Sequence, residues 1–415
     1  MYSVPVIFCT VRLFSVASSE TVVVLGNLSK MMKAILLTGK PDARADITKF
    51  LSVSDSVPKP SIKPNEVLVR VKASAMNIED IMIGVGRMLV SLTATKEAPV
   101  VLGQEFSGVV EEVGPNVKEL KQGDKVFGHK FGLKIRFGSW AEFVAVNEKV
   151  LVKMGDKYSF AEAAALPMSA LVAYGAAKAT GLIGNPLLEN IPHKTRKQED
   201  VIAVKDVDNE ALIMDTKIDK NILKDTKVAL VGASSTIGLM VLDMLASRGV
   251  KVVGVSSSSS AAPVLANGAV AVLDRHVDGG LGRKGDMQLD IIIDCIGGQA
   301  IEDSARKALG SRGHFITVVG PGETSFAEGM VGVAGHLGHA ASLAGRAFKS
   351  MFSNTKYTLA TMPLSGGVKI LQDLMNENLK SVIDSEVDMF NEDSVHKAVE
   401  KVNNHKNKGR LVLVS

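Results

Sequence analysis

Cysteine is nearly missing from this chain. Two of 415 residues are cysteine, Cys9 and Cys295, far apart and in no CxxC pair. That usage excludes a disulfide framework and a structural zinc site of four thiolates, and it fits a reducing compartment. Also lacking is any dense stripe of Lys and Arg. With 48 basic against 44 acidic residues the net charge is +4, and no nucleic-acid partner is expected. No clean apolar run of about 18 residues occurs, so no integral membrane span is expected either. The nearest case, 329–345, is uncharged but rich in Gly and His, and reads as a partly buried helix or loop beside a cleft.

What is present is globular material. Hydrophobic residues make up 46% and charged residues 22%, enough for substantial cores, and the length fits about two domains. Residues 1–31 stand apart as an N-terminal extension. The stretch Met1 to Ser19 has no acid and a single arginine, Arg12, in Arg12-Leu13-Phe14-Ser15. This is the bias of a mitochondrial transit peptide. A secretory signal, or a start at Met31-Met32 with a cytoplasmic product, are the alternatives.

From residue 32 to 158 the chain is β-rich. Val67, Val69 and Val71 alternate with polar partners, the pattern of a half-buried strand, and 108–113 runs into the turn Gly114-Pro115-Asn116. Many short strands at close spacing predict a barrel-like domain. From 159 to 357 the texture becomes α/β. An Ala-rich helix is predicted over 160–179, strands over 228–231, 250–255, 289–293 and 314–319, and a helix over 238–247. Short apolar strands alternating with helices predict a doubly wound parallel sheet. The segment 185–224 is polar and mixed in charge; it reads as a solvated insertion or, alternatively, a substrate lid. The tail from 358 to 415 holds further helix and a last strand over 410–414.

The informative turn is Gly232-Ala233-Ser234-Ser235-Thr236-Ile237-Gly238, set between an apolar strand and an apolar helix. Small residues there let the backbone approach a pyrophosphate, which a helix N-terminus favours. Its spacing is G-x-x-S-x-x-G rather than the usual GxGxxG. At the end of the second strand an NAD enzyme places an acid on the ribose; here the run is Ser256-Ser257-Ser258-Ser259-Ser260. Without that carboxylate a 2′-phosphate is tolerated, so NADPH is the expected cofactor, with Ser256 and Ser257 as donors. Arg275 is the candidate basic partner, or else a solvated surface residue.

These motifs together resemble the medium-chain dehydrogenase/reductase superfamily, in its zinc-free quinone oxidoreductase-like branch, and are similar to those of the mitochondrial reticulon-interacting oxidoreductases. The matching segments are Asn77-Ile78-Glu79-Asp80, 102–110 (LGQEFSGVV), Gly123-Asp124-Lys125-Val126, 163–167 (AAALP) with Ala173-Tyr174, the cofactor turn, 290–298 (DIIIDCIGG, including Gly297) and 408–412 (KGRLV). The resemblance implies a GroES-like β-barrel catalytic domain, completed by the tail, plus a Rossmann cofactor domain. It also implies hydride transfer between NAD(P)H and a small molecule, and a homodimer, since many members are dimers. The insertion departs from the pattern.

By the same resemblance, the positions that hold catalytic zinc in other branches are here Asn77, Gln104 and Met168. Zinc prefers thiolate, imidazole or carboxylate, so no metal is expected. The acceptor must then already be electrophilic: a quinone or an α,β-unsaturated carbonyl. Asn77 would bond the acceptor oxygen or the cofactor ribose, and Gln104 would add a donor. Asp80 and Glu105 would serve catalysis or fix the loops. A tyrosine that some relatives use is replaced by Met82, leaving no evident proton donor. His336 and His339, three apart, would share a helix face, as cleft lining or, less simply, a metal pair. An enoyl-thioester reductase and a low-turnover NADPH-binding partner protein are the competing readings.

Overall fold

The computed structural model describes residues 31–41, 44–85, 94–130, 136–183, 228–276, 281, 288–319, 345–346, 350, 354–363 and 366–415. The N-terminal extension up to residue 30, the insertion 185–224, and the stretch holding His336 and His339 lie outside them.

Apolar strand residues in the first third build the barrel. Strand β3 (Glu66–Met76) is its spine. It pairs antiparallel with β5 (Glu105–Val113), with β7 (Phe143–Asn147) and with β16 (Arg410–Val414). Beyond them lie β6 (Lys125–His129), β8 (Leu151–Lys153) and β15 (Ile383–Asp388). A smaller sheet, β1 (Met31–Leu37), β2 (Leu51–Pro58) and β4 (Val100–Val101), packs into the same core around Trp140 and Phe106. The alternation read for β3 holds for the buried Val67, Val69 and Val71 against Glu66 and Arg70, and fails at the buried Leu68. Its C-terminal half is buried on both faces, because Ala73 and Ala75 pack on Ala161 and Ala164 of the helix α2 (Phe160–Ala164) and on Ala165 just after it.

The predicted helix 160–179 is in fact two. α2 ends at Ala164, and α3 runs Pro167–Ala179 with Pro167 in its first turn. A proline lacks an N–H but is tolerated there, so it starts a helix where it would break one. The break redirects the chain. α2 covers the barrel, while α3 covers the parallel sheet with Ala170, Ala173 and Tyr174 buried. The barrel's covering therefore extends past residue 158.

Six parallel strands follow in the order β11 (Ala271–Asp274), β10 (Val252–Ser256), β9 (Val228–Val231), β12 (Leu289–Asp294), β13 (Leu309–Thr317), β14 (Lys356–Leu359). Near-continuous burial of β9 and β10 is the signature of a sheet covered on both faces. The strand order reverses direction between β9 and β12, and the crevice at such a switch point is where open α/β sheets hold ligands. The helices α4 (Thr236–Ala246), α5 (Ala261–Ala266), α6 (Gln299–Ala308) and α7 (Gly367–Asn376) accompany it. β14 belongs to this sheet and α7 to its core. The tail thus re-enters the barrel at Ile383, not at 358. It does so through β15, α8 (Glu392–Asn403) and β16.

Candidate functional site

Two constructions face the chemistry. The first is the turn Gly232–Gly238, where the sequence reading expects a cofactor. Gly232 has φ +74, and a Cβ there would lie 2.7 Å from Ile296. At Gly238 a Cβ would come within 2.3 Å of the Gly232 carbonyl. Both positions are kept empty by glycine so that the turn can fold onto the first turn of α4. The N–H groups of Gly232 and Ala233 donate to Val255 O, each at 3.1 Å, which ties the turn to β10. Ser235 caps α4, its Oγ accepting from Gly238 N at 3.0 Å. A serine in the middle of the fingerprint thus serves as N-cap, taking one of the orphan amides of the helix start. Across the crevice, the buried Asp294 ends β12. Its Oδ1 accepts from Ile296 N and Gly297 N, both at 2.9 Å, and its Oδ2 accepts from Thr317 Oγ1 at 2.9 Å. Burial raises its pKa above the ordinary value, with these donors opposing. Asp294 shapes the Gly297-Gly298 loop (φ +84 and +103). Its place at the end of an apolar strand was the available sign of that role.

The serine run is less free than its composition suggested. Ser256 Oγ donates to Ser257 O at 3.2 Å, and Ser257 Oγ is engaged with Ser259 and Ser260 at 3.1 Å. Ser258 donates to the Asp274 carboxylate. Asp274 comes from the neighbouring strand, where the parallel register pairs Ser256 with Asp274. The Ser258 hydroxyl, then the His276 N–H, hold the Asp274 carboxyl below its usual range. So the expectation that no acid attends the run is corrected: one arrives from β11. Arg275 follows it, its N–H on Ser256 O at 2.8 Å and its Nε 3.2 Å from His276 Nε2.

The second construction is a buried polar knot at the end of the barrel. Asn77 precedes helix α1 (Ile78–Gly84). Asp80, in the first turn, accepts from Asn77 N through Oδ2 at 2.9 Å. The Asn77 amide instead donates from Nδ2 to Glu105 Oε2 at 2.7 Å, which leaves its Oδ1 buried without a hydrogen-bond partner. Gln104 Nε2 donates to Asp80 Oδ1 at 3.3 Å. Glu105, fully buried, also receives Met168 N from the first turn of α3 and the guanidinium of Arg410 from β16. The barrel, the covering helix and the returning tail therefore meet on one carboxylate. Ser74 Oγ and Ser139 Oγ both reach Glu105 O, at 2.8 and 3.2 Å, which fixes the strand start that carries Gln104. Burial pushes Asp80 up to about 7, with Asn77 N–H and Gln104 opposing and Glu79 and Glu105 adding to the rise.

Asn77, Asp80 and Gln104 are thus brought together, with Met168 beside them. Asn77, Gln104 and Met168 do not suit zinc. The Asn77 and Gln104 nitrogens are turned to carboxylates, and Met168 brings a backbone N–H to Glu105. Among the described residues no cluster of three or more His, Cys, Asp or Glu side chains could hold a metal.

Two family models match the chain: an alcohol dehydrogenase GroES-like domain over residues 63–156 and a zinc-binding dehydrogenase domain over 267–413. The chain belongs to the medium-chain dehydrogenase/reductase family. Similar members of the family include the 2-methylene-furan-3-one reductase of Solanum lycopersicum, 39% identical over 128 residues, which are 30% of this chain and 32% of that protein. The human synaptic vesicle membrane protein VAT-1 homolog-like is 32% identical over 143 residues, 34% of this chain and 30% of that one. These alignments span about a third of each relative's length. A trans-enoyl reductase of Cordyceps militaris is 27% identical over 281 residues, 65% of this chain and 67% of the relative. Among solved structures, the quinone oxidoreductase from Coxiella burnetii superposes with a TM-score of 0.65 at 21% identity, covering 93% of this chain and 100% of the other. The medium-chain dehydrogenase/reductase fold, a GroES-like domain with a parallel-sheet Rossmann domain, is therefore the fold of this protein. No helix among its described residues is long and apolar enough to cross a membrane.

Proposed function

We propose that the protein is an NADPH-dependent, zinc-independent reductase that transfers hydride to a quinone or an α,β-unsaturated carbonyl. The observation that carries this reading is the knot: two amides and a thioether at the metal positions, with the amide nitrogens committed to Glu105 and Asp80. Such a donor set offers hydrogen bonds rather than Lewis acidity, which suits an acceptor that is electrophilic beforehand. Relatives named as an NADPH-dependent alkenal/one oxidoreductase of Arabidopsis thaliana (35% identical over 123 residues) and a 2-methylene-furan-3-one reductase point the same way.

The tight strand-to-helix turn that Gly232 and Gly238 permit is of the kind that would receive a dinucleotide pyrophosphate. The nicotinamide supplies the hydride when bound. Gly232 to Gly238, with the helix start that Ser235 caps, would hold the phosphates, and Gly297 the far side of the crevice. Asn77 has one amide hydrogen on Glu105 and an unpartnered Oδ1, so a ribose hydroxyl would suit that Oδ1. Gln104, whose Nε2 places one of its two hydrogens on Asp80, would offer the other to the acceptor oxygen. Arg275, with Ser256 and Ser257, would face a 2′-phosphate. Asp80 acts on Gln104. The chain would divide into a catalytic barrel and a cofactor domain, act as a homodimer on a small molecule, and reside in mitochondria or, failing import, the cytoplasm.

The likeness to a trans-enoyl reductase favours a second reading, enoyl-thioester reduction. One experiment separates the readings. Nicotinamide fluorescence titration is followed by an acceptor screen with a quinone, an enone and an enoyl thioester. NADPH binding tighter than NADH, with turnover of the first two, is expected. Turnover of the thioester alone would move the reading to enoyl reduction. Tight binding with no turnover would leave a cofactor-binding partner protein.

A further inference from the structure

We propose that Asn77 Oδ1 and Arg410 Nε form a two-point site for one hydroxyl group, the carbonyl accepting its proton and the guanidinium donating to its oxygen. The occupant is a hydroxyl of the nicotinamide ribose when cofactor is bound and a water molecule when it is not. The ribose half rests on the reductase reading above. Both atoms are buried, and among the described residues neither has a hydrogen-bond partner. Such atoms are uncommon in folded proteins and costly to leave unpaired. Asn77 is 2% exposed and the Arg410 side chain 11%.

Strand register brings the two atoms to one face. Leu411 lies opposite Met76, and one step further Arg410 stands opposite Asn77. Opposed residues of an antiparallel pair share a face. Glu105, opposite Ala75, lies on that same face of the sheet. Asn77 Nδ2 and Arg410 Nη2 both donate to one atom, Glu105 Oε2. The Asn77 amide cannot be reversed, because its carbonyl would then meet a carboxylate. Its Oδ1 is therefore committed to face away from Glu105. On the guanidinium, Nε–H and Nη2–H share one edge of a rigid fork. Arg70 spends both on Glu111. Arg410 cannot do the same, because Glu105 Oε1 is taken by Met168 N. Its Nε is left over, beside the oxygen that Asn77 also reaches. One atom that satisfies both must donate and accept. A carbonyl oxygen cannot donate and an ammonium cannot accept, whereas a hydroxyl or a water does both. On a dinucleotide the sugar hydroxyls have that character.

The test reads binding, not turnover, on the full chain. Dissociation constants are measured by nicotinamide fluorescence for NADPH and for its two analogues lacking the 2′ or the 3′ hydroxyl of the nicotinamide ribose. In the natural protein one analogue should bind about tenfold more weakly, the size of one hydrogen bond to a charged group. Arg410→Lys keeps a cation for Glu105 and removes Nε. It should weaken NADPH about tenfold and that same analogue by no more than about twofold. Should Arg410→Lys fail to fold, the comparison of NADPH with the two analogues on the natural protein still decides the ribose half. High-resolution crystal structures with and without NADPH form the second arm. A water within hydrogen-bond distance of both atoms in the free protein, displaced in the complex, is expected. The same water in both crystals, with all three cofactors bound equally, would assign the site to water alone. Equal binding of the cofactors with no such water in either crystal would overturn the proposal, as would equal losses of NADPH and both analogues in Arg410→Lys. If neither NADPH nor NADH binds at all, the reductase reading fails, and the water in the free protein decides the site by itself.

Discussion

The cofactor turn and the polar knot solve the same problem by opposite means. The turn at Gly232–Gly238 makes room by deleting side chains, and its shape comes from backbone hydrogen bonds to Val255 O and one serine cap. The knot fills its space with ionisable side chains drawn from β5, α1 and β16, with α3 contributing a backbone N–H. The turn is therefore sensitive to volume and indifferent to charge, whereas the knot is sensitive to charge.

The sharpest way to break that contrast is to remove one charge from the knot. Arg410→Met leaves Glu105 buried with only the Asn77 amide and Met168 N–H. It should cost about 3–5 kcal/mol in denaturant unfolding, and Arg410→Met with Glu105→Gln should recover much of it. Next comes volume in the turn. Gly238→Val drives a Cβ into backbone at Gly232 and Ala233, and should cost about 1–3 kcal/mol while abolishing the nicotinamide fluorescence response. Equal loss of binding in both variants would dissolve the distinction.

Asp80 tests whether charge in the knot also links to pH. Folding raises its pKa from an ordinary 3.8 to about 7. Its stabilising share is whole below the ordinary value and is lost as pH rises through 7. Asp80→Asn should therefore raise Tm relative to the natural protein at pH 8, by less at pH 5 and not below pH 3.8. Smaller still is the effect at the rim of the turn. Asp274→Asn removes the carboxylate that Ser258 serves; NADPH preference over NADH should rise about tenfold, roughly 1.4 kcal/mol. Smallest is a surface control. Arg70→Ala breaks an exposed pair with Glu111, at 2.9 Å, and should change stability by less than about 1 kcal/mol.

What the sequence disclosed follows the same contrast. The turn was legible because its information is local: seven consecutive residues between two apolar runs. The parallel strands were legible because burial on both faces writes continuous Val and Ile. Asn77 and Gln104 came from position within a resemblance, not from chemistry of their own. Glu105 and Arg410 lie 305 residues apart, and no periodicity joins them. Asp274 was invisible as a neighbour of Ser258 because only the register of β10 against β11 brings it there. The break before α3 was readable and missed: Pro167 stood inside the Ala-rich run and marks a helix start. The tail was placed too early in the barrel for a related reason, since β14 and α7 carry no local sign of which sheet they serve.

The pairing of Glu105 with Arg410 also has a consequence in time. During synthesis the strand that carries Glu105 leaves the ribosome some three hundred residues before its counter-charge does. Throughout that interval β3 lacks its neighbour β16 and exposes an unpaired edge. The nascent barrel therefore stays open until β16 emerges, whereas the parallel sheet and its helix α7 are all made by residue 376. Domains form as units in order of emergence, but here the first to appear is the last to have all its strands.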